Sequence, residues 1–121
     1  MRFHAPCSAG DLADRISILT IKMERLLDPE KVRLAREECA LLKTEWYNAA
    51  TTGPELENAL AKLDILNNRL WLLEDQAREE IIDDAPLLLR SITVTNDARA
   101  RVKREVNELL QSEIREVKSH D

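Results

Sequence analysis

The sequence predicts an all-α protein, an antiparallel bundle of four helices, and three observations support this prediction. Apolar residues recur at spacings of three and four along most of the chain, which is the period of a helix with a buried face. Leu and Ile dominate the apolar set and only 3% of residues are aromatic, a composition that favours helices. Gly10 and Gly53 are the only glycines, so a glycine-rich phosphate loop and a strained nucleophile turn are excluded.

The first helix is expected over residues 9–27. Ser8 stands before it and Asp11 follows three residues later, the N-cap and N3 spacing of an acidic capping box. Its main apolar seam is Leu12, Ile16, Leu19, Met23 and Leu26. Ile18 and Ile21 lie off this seam, so the helix is apolar on more than one side. It therefore needs two neighbours, from this chain or from a second copy.

The second and third helices are expected over residues 29–50 and 54–82. Asp28 suits an N-cap and Pro29 suits the first helical position, while Thr52 and Glu55 have the spacing of another capping box. The second helix carries the seam Val32, Ala35, Cys39, Leu42, Trp46 and Ala49. The third carries Leu56, Ala59, Leu63, Leu66, Leu70, Leu73 and Ala77.

The fourth helix is expected over residues 86–117, beginning at Pro86. The β-branched run at 92–95 lowers helix propensity, and Asn96 suits the cap of a new helix, so Thr95–Asn96 is a candidate break. We prefer a continuous helix, because a single strand has no partner. Short connections predict antiparallel neighbours. Residues 1–121 form one expected domain, with loose ends at 1–7 and 118–121.

Charge and composition narrow the class of partner and the compartment. The formal net charge is −5, which argues against nucleic acid or an anionic membrane as the main partner. No apolar window approaches the length of a membrane span, and the first residues lack the apolar core of a signal peptide. Cys7 and Cys39 are interpreted as two free thiols. These features predict a cytoplasmic protein.

Polar residues on or beside the apolar stripes are the candidates for a binding site or a buried polar network. Asn67 lies between Leu63 and Leu70 and needs hydrogen-bond partners, and its simplest role is a structural amide that fixes helix register. Asp14 and Arg25 are about three turns apart, so each needs a partner on another helix, or water. The full candidate set is Asp14, Lys22, Arg25, Asn67, Trp71, Glu74, Asp75, Arg78, Asn96, Asp97, Arg99, Lys103, Arg104 and Asn107.

Two groups within this set have both a functional and a structural interpretation. The cluster from Trp71 to Arg78 suits an anion or partner site with an aromatic wall, but ordinary surface ion pairs beside a half-buried Trp explain it better. Arg99, Lys103 and Arg104 suit a phosphate or carboxylate, and a solvated helix face explains them equally well.

The sequence predicts no catalytic residue, no metal site and no cofactor. His4 and Cys7 are three residues apart, but no second pair completes a zinc site, and no histidine is tied to Cys7 for nucleophilic catalysis. One acidic series loosely resembles the magnesium sites of all-α nucleotide pyrophosphohydrolases, although acidic pairs are common throughout this chain. The series is Glu79, Glu80, Asp83, Glu105 and Glu108.

A chorismate-mutase-like bundle is a further alternative, since such enzymes project cations and carboxylates into a helical core. The opening motif of that family is not visible here, so the analogy depends on architecture alone. The residues available for such a site are Arg15, Lys22, Arg25, Arg69, Arg78 and Arg99.

Two stretches, residues 8–25 and 95–119, together with Asn68–Trp71 and Glu74–Asp75, carry a resemblance to a known family. The chain resembles small bacterial proteins catalogued only as a domain of unknown function. Members typically have Asp-Lys at the position of Asp14–Arg15 and end in Lys-Ser-Tyr at the position of Lys118–His120. The resemblance implies a bacterial cytoplasmic protein whose relatives are loosely associated with sugar-transfer and surface-polysaccharide genes. It implies no reaction and no assigned site.

The resemblance also implies that most of the candidate polar residues, with Glu24, belong to a shared motif. We therefore expect a non-catalytic assembly or partner-binding module. A homodimer is expected because the first helix is apolar on two sides and helical hairpins pair readily. The alternative is a small all-α enzyme acting on an anionic or phosphorylated metabolite. The residues that would test it are Arg25, Arg99, Lys103 and Glu74.

Overall fold

The computed structural model describes residues 1–79 and 83–112, and within these ranges the chain forms four helices and no strand. The helices are α1 (Ala9–Arg25), α2 (Pro29–Ala49), α3 (Pro54–Arg78) and α4 (Ala85–Leu109). The predicted all-α four-helix bundle is therefore confirmed. None of these helices is both long enough and apolar enough, over the residues described, to cross a lipid bilayer.

Short acidic or hydroxyl side chains begin three of the helices. The Ser8 hydroxyl accepts a hydrogen bond from the backbone N–H of Asp11 at 3.0 Å, which confirms the predicted start of α1. Asp28 caps α2 in the same way, and Asp84 caps α4. Each oxygen satisfies one of the backbone N–H groups that have no carbonyl partner in the first turn.

The start of α3 differs from the prediction. Gly53 is its N-cap residue and no side chain bonds to the first turn, so the predicted Thr52–Glu55 capping box is wrong. The physical reason is Pro54 in the first turn: proline has no backbone N–H to satisfy, and its fixed φ already suits a helix.

The predicted helix ends are too late. α1 ends at Arg25, two residues before the predicted end, and α2 ends at Ala49, one residue before it. α3 ends at Arg78 rather than at 82. The largest error is in α4, which stops at Leu109 rather than at 117. Gln111 adopts φ 49°, and the backbone N–H of Ser112 bonds to the Asn107 carbonyl at 2.8 Å, which closes the last turn. The expected continuations at 80–82 and 113–117, and the expected tail at 118–121, lie outside the described residues.

α4 is continuous through residues 92–96, so the candidate break at Thr95–Asn96 is absent. The hydroxyls of Thr93 and Thr95 donate to the carbonyls of Leu89 and Ser91, one turn earlier. This pattern lets a threonine satisfy its polar group inside a helix, even where Thr95 is buried.

α1 is the central helix of the bundle. One of its faces packs on α2, the other packs on α3 and α4, and α3 packs on α4. The α3–α4 pair is antiparallel, since Lys62 is paired with Glu105 while the later Asn67 is bonded to the earlier Arg99. Within the described ranges the backbone of α2 does not approach α3 or α4. The Trp46 side chain of α2 nevertheless reaches the core between the other three helices.

Two apolar clusters lie on the two sides of α1. Leu19 packs with Ala35 and Cys39 of α2. The cluster between α1, α3 and α4 is Ala13, Leu56, Ala59, Leu63, Val102 and Val106. Both apolar sides of α1 are thus covered within one chain. The two neighbours predicted for α1 therefore come from this chain, and a homodimer stays a prediction.

Candidate functional site

A buried amide joins three helices. Asn67 of α3 is only 4% exposed, and its Nδ2 donates to Asp14 Oδ1 at 2.9 Å and to Ser17 Oγ at 3.1 Å. Its Oδ1 lies 3.4 Å from Nη1 of Arg99 on α4, which donates to it. The amide therefore uses both donors and its acceptor, and it links α1 to α3 and α4 at once.

We call this cluster, with Asp64, the polar network: Asp14, Ser17, Asp64, Asn67 and Arg99. The Ser17 hydroxyl donates to Asp64 Oδ1 at 2.6 Å, so the network ends on an exposed carboxylate of α3. Arg99 Nη1 lies 4.0 Å from Asp14 Oδ2, which places a positive charge beside the buried carboxylate. Among the described residues, every buried side-chain nitrogen and oxygen has a hydrogen-bond partner. A fully satisfied network of this kind fixes one arrangement of its helices.

A second polar contact, the helix-start contact, joins the beginning of α1 to the end of α4. The Gly10 backbone N–H donates to Asn107 Oδ1 at 2.6 Å, and the Ala9 N–H donates to Ser112 Oγ at 3.1 Å. The first-turn N–H groups of a helix are the ones that would hold an anion. Here side chains of α4 and of the turn after it occupy two of them.

Gly10 makes this contact possible. A Cβ added there would fall against the backbone carbonyl oxygen of Lys103, far inside van der Waals distance, and 3.0 Å from Asn107 Oδ1. Backbone cannot move aside as a side chain can, so only glycine lets α1 and α4 approach this closely.

An ion pair lies beside the helix-start contact. Lys103 Nζ is 2.7 Å from Asp11 Oδ1, and the lysine side chain is largely buried. The hydrogen bond from Lys103 holds the pKa of Asp11 below its ordinary value, against the opposing effect of partial burial. Ser8 and Arg15 lower the same pKa further, so Asp11 is a firmly ionised partner for Lys103.

The other predicted residues with described partners lie on separate surfaces. Arg25 donates to Asn68 Oδ1 at 2.8 Å on the exposed side of α1 and α3. Arg78 lies 3.7 Å from Glu74 and 3.5 Å from Asp75 and is mostly exposed. Trp71 is half-buried in the same region. The contacts of Arg78 are surface ion pairs and that of Arg25 is a surface hydrogen bond to a neutral amide, and each has a small individual energy.

The remaining predicted residues make none of the contacts described above. The side chains of Lys22, Asn96, Asp97 and Arg104 form no hydrogen bond or ion pair with any other described residue. Lys22, Asn96 and Arg104 are half-buried and Asp97 is exposed.

No three His, Cys, Asp or Glu side chains within residues 1–79 and 83–112 lie close enough together to hold a metal ion. In the acidic series proposed from the sequence, Glu80 lies outside the described residues. Glu105 is 3.8 Å from Lys62 across the α3–α4 pair.

Sequence reasoning missed Gly10, Ser17, Asp64 and Ser112. Gly10 had a detectable signal, because a glycine in the first turn of a predicted helix often marks a close backbone approach. The other three had none. Serine and aspartate are ordinary on a helix surface, and their partners are distant in the sequence.

A groove of about 320 Å³ opens between α1, α2 and α3, and none of the predicted candidate residues lines it. Its apolar floor includes Leu60 and Leu63, and Trp46 and Tyr47 form one wall. Ser17 and Asp64 of the polar network lie at its edge.

Comparison with known proteins finds no match for this chain among protein-family models, curated proteins or solved structures. Function is therefore argued from the geometry of these residues.

Proposed function

We propose that this protein is a non-catalytic helical module of the bacterial cytoplasm that assembles with a second copy of itself or with a protein partner. The observation that supports this is how the predicted polar residues are used. Asp14, Asn67, Arg99 and Asn107 hold α1 against α3 and α4, where they are hydrogen-bonded to the protein itself.

An enzyme acting on an anionic metabolite needs cations that converge on a cleft and are not already neutralised. The four residues that would test that alternative are used in separate places. Arg99 contacts Asn67, Lys103 contacts Asp11, and Arg25 contacts Asn68. Glu74 lies beside Arg78, on another surface. Each meets its own protein partner, so the geometry favours a structural role for them.

We also propose that the protein belongs to the small bacterial family that it resembles. The two stretches that carry it hold α1 and the second half of α4. Their polar residues meet in three places, as Gly10 with Asn107, Asp11 with Lys103, and Asp14 with Arg99. A shared motif of this kind is explained by the contact between the two helices and requires no ligand.

The uncovered side of the α3–α4 pair supports assembly. Ile65 is 68% exposed, and Leu72, Leu87 and Val94 are each more than half exposed on the same two helices. Exposed apolar side chains on neighbouring helices are typical of an interaction surface.

A second copy is the occupant that this surface suits best. A shallow groove between the two helices is lined by Ile65, Leu66 and Val102, with Lys62 and Glu105 on its edges. A two-fold interface places each patch against its own copy, so the apolar centre of one patch covers the same apolar centre of the other. A dimer through this hairpin would also build a second four-helix arrangement.

The test is the molar mass in solution, measured by sedimentation at several protein concentrations. We expect a dimer that dissociates on dilution, and we expect Ile65→Glu to give a monomer with unchanged helical circular dichroism. Leu27→Glu is the matched control, because Leu27 is 96% exposed in the α1–α2 connection and should leave the mass unchanged. A monomer at all concentrations would remove self-assembly and leave only a separate protein partner.

A thermal-shift screen tests the non-catalytic part of the proposal. Nucleotide sugars, sugar phosphates and Mg²⁺ should give no stabilisation, since a ligand that binds the folded state raises the unfolding temperature. A strong shift with one of them, abolished by Arg99→Met, would favour the enzyme instead.

A further inference from the structure

The groove between α1, α2 and α3 exists because α2 rests on α1 without reaching the backbone of α3. Its volume of about 320 Å³ is at the small end of the range for ligand cavities, roughly 300–1,000 Å³. The space suits one small molecule better than a helix or an extended peptide.

The groove has an apolar centre. Leu60 and Leu63 of α3 and Ile16 of α1 contribute aliphatic surface, and Trp46 contributes an aromatic wall. Leu63 is fully buried beneath it, so this part of the lining is set by the core. An apolar ligand body placed here would cover surface that the fold leaves open.

Two charges of opposite sign line the groove together with this apolar surface. Lys43 is on α2, half-buried, and has no acidic partner among the described residues. Asp64 is on α3 and accepts a hydrogen bond from Ser17 at 2.6 Å, but no basic side chain of the described part pairs with it. The groove thus holds one uncompensated cation and one uncompensated anion on different helices.

We propose that this groove binds a small zwitterion with an apolar body, of the class of the apolar α-amino acids. The ligand's ammonium group pairs with Asp64, and its carboxylate pairs with Lys43. Its side chain lies on Ile16, Leu60 and Trp46. A charge-assisted hydrogen bond to each of the two charged groups, which are carried by the same carbon, fixes the orientation of the ligand, and the apolar centre selects its side chain. No chemical step is involved, and the proposal is independent of the assembly through α3 and α4.

The experiment uses the fluorescence of Trp46 in a Trp71→Phe background, which leaves one tryptophan in the protein. L-leucine and L-phenylalanine are titrated to millimolar concentration, and a saturable change is expected. For L-phenylalanine the single-charge compounds 3-phenylpropanoate and 2-phenylethylamine should each bind at least about tenfold more weakly.

Lys43→Met and Asp64→Asn should each weaken the binding of the zwitterion by at least about tenfold. The amide of Asp64→Asn can still accept the Ser17 hydrogen bond, so the fold is preserved. Lys31→Met on α2 and Glu57→Gln on α3 are matched controls, exposed and outside the groove, and should leave affinity unchanged.

Three results would overturn the proposal. They are no saturable change with either amino acid, equal binding of a single-charge compound, or wild-type affinity in both groove variants. If 3-phenylpropanoate binds as well as phenylalanine, the groove is an anion site at Lys43 alone.

Discussion

The two faces of α1 make different kinds of contact with their neighbours. Toward α2 the buried contact is apolar, with Leu19 packed on Ala35 and Cys39. Toward α3 and α4 the same helix presents Gly10, Asp14 and Ser17, and hydrogen bonds join these residues to their partners. One helix of 17 residues therefore carries both an apolar interface and a polar one.

The two kinds of contact have different roles: apolar burial stabilises the fold, and the polar contacts determine the register of α1. Apolar burial is non-directional, so the α2 face tolerates changes that keep volume. The α3–α4 face has fixed donors, acceptors and one close backbone approach, and these permit a single register. We infer that apolar burial on both faces, with Leu19 on the first and Ala13 on the second, contributes to the free energy of unfolding. The polar contacts of the second face select the position of α1.

The largest expected effect is on the apolar face. Leu19→Ala should lower the free energy of unfolding by about 3 kcal/mol, because it removes a buried side chain and leaves a cavity. Urea denaturation measures this. Leu27→Ala, at an exposed leucine nearby in the chain, should change it by less than about 0.5 kcal/mol. Similar losses in both variants would mean that Leu19 is not part of a tight core.

The next largest effect is expected on the polar face, where Gly10 lies close to the backbone of Lys103. Gly10→Ala should cost about 2–3 kcal/mol, because the new methyl group meets the backbone of Lys103. Gly53→Ala is the matched control. Nothing lies within 4 Å of the added methyl and φ is extended, so a change within about 0.5 kcal/mol is expected. Thermal and urea unfolding of both variants check the difference, and an equal response would contradict the close approach.

The amide of the polar network should have a somewhat smaller effect. Asn67→Ala leaves Asp14 and Arg99 without a bond they now make, and we expect a loss of about 2 kcal/mol. Asn68→Ala removes a neighbouring amide whose contact with Arg25 is exposed, and it should lose less than about 1 kcal/mol. A loss for Asn67→Ala no greater than for Asn68→Ala would show that the amide does not hold the helices.

The smallest effect is the pH dependence of the Asp11–Lys103 pair. The pKa of Asp11 is lower in the folded protein than in the unfolded chain, so its contribution is complete above the ordinary carboxyl pKa of about 3.9. It is lost as pH falls through the lowered folded pKa. Because Asp11 is partly exposed and screened, the contribution is below about 1 kcal/mol.

This contribution is measured as the difference in unfolding free energy between wild type and Asp11→Asn. The difference should be constant from pH 5 to 7 and shrink below about pH 4. If the difference grew as the pH fell, the pKa of Asp11 would be raised on folding rather than lowered.

The apolar face of α1 was predictable from the sequence, and the polar face was predictable only in part. The seam through Leu19 follows from helical spacing, and Ser8 and Asp28 were found as caps because capping depends on local residues. Spacing indicates that a face is buried but not which helix covers it. The sequence therefore predicts two neighbours for α1 without assigning them to this chain or to a second copy, and α2, α3 and α4 supply both.

Asn67 and Asp14 were recognised as polar residues that need partners, but the partners themselves were not identified. Gly10 and Asn107 are 97 residues apart, and no local rule connects them. The end of α4 was placed too late for a related reason. Its last turn is shaped by the approach of α1, as the bond between Ala9 and Ser112 indicates.

The composition of α1 matters during synthesis, because the chain leaves the ribosome from its N-terminus. α1 and α2 are synthesised first and can join through Leu19 while α4 is still missing. The side of α1 that must wait includes Gly10, Asp14 and Ser17, small or hydrophilic groups with little tendency to stick to other nascent chains. Because these groups lie on the side of α1 that is exposed at that stage, α1 itself offers few apolar contacts to other nascent chains until α3 and α4 are made.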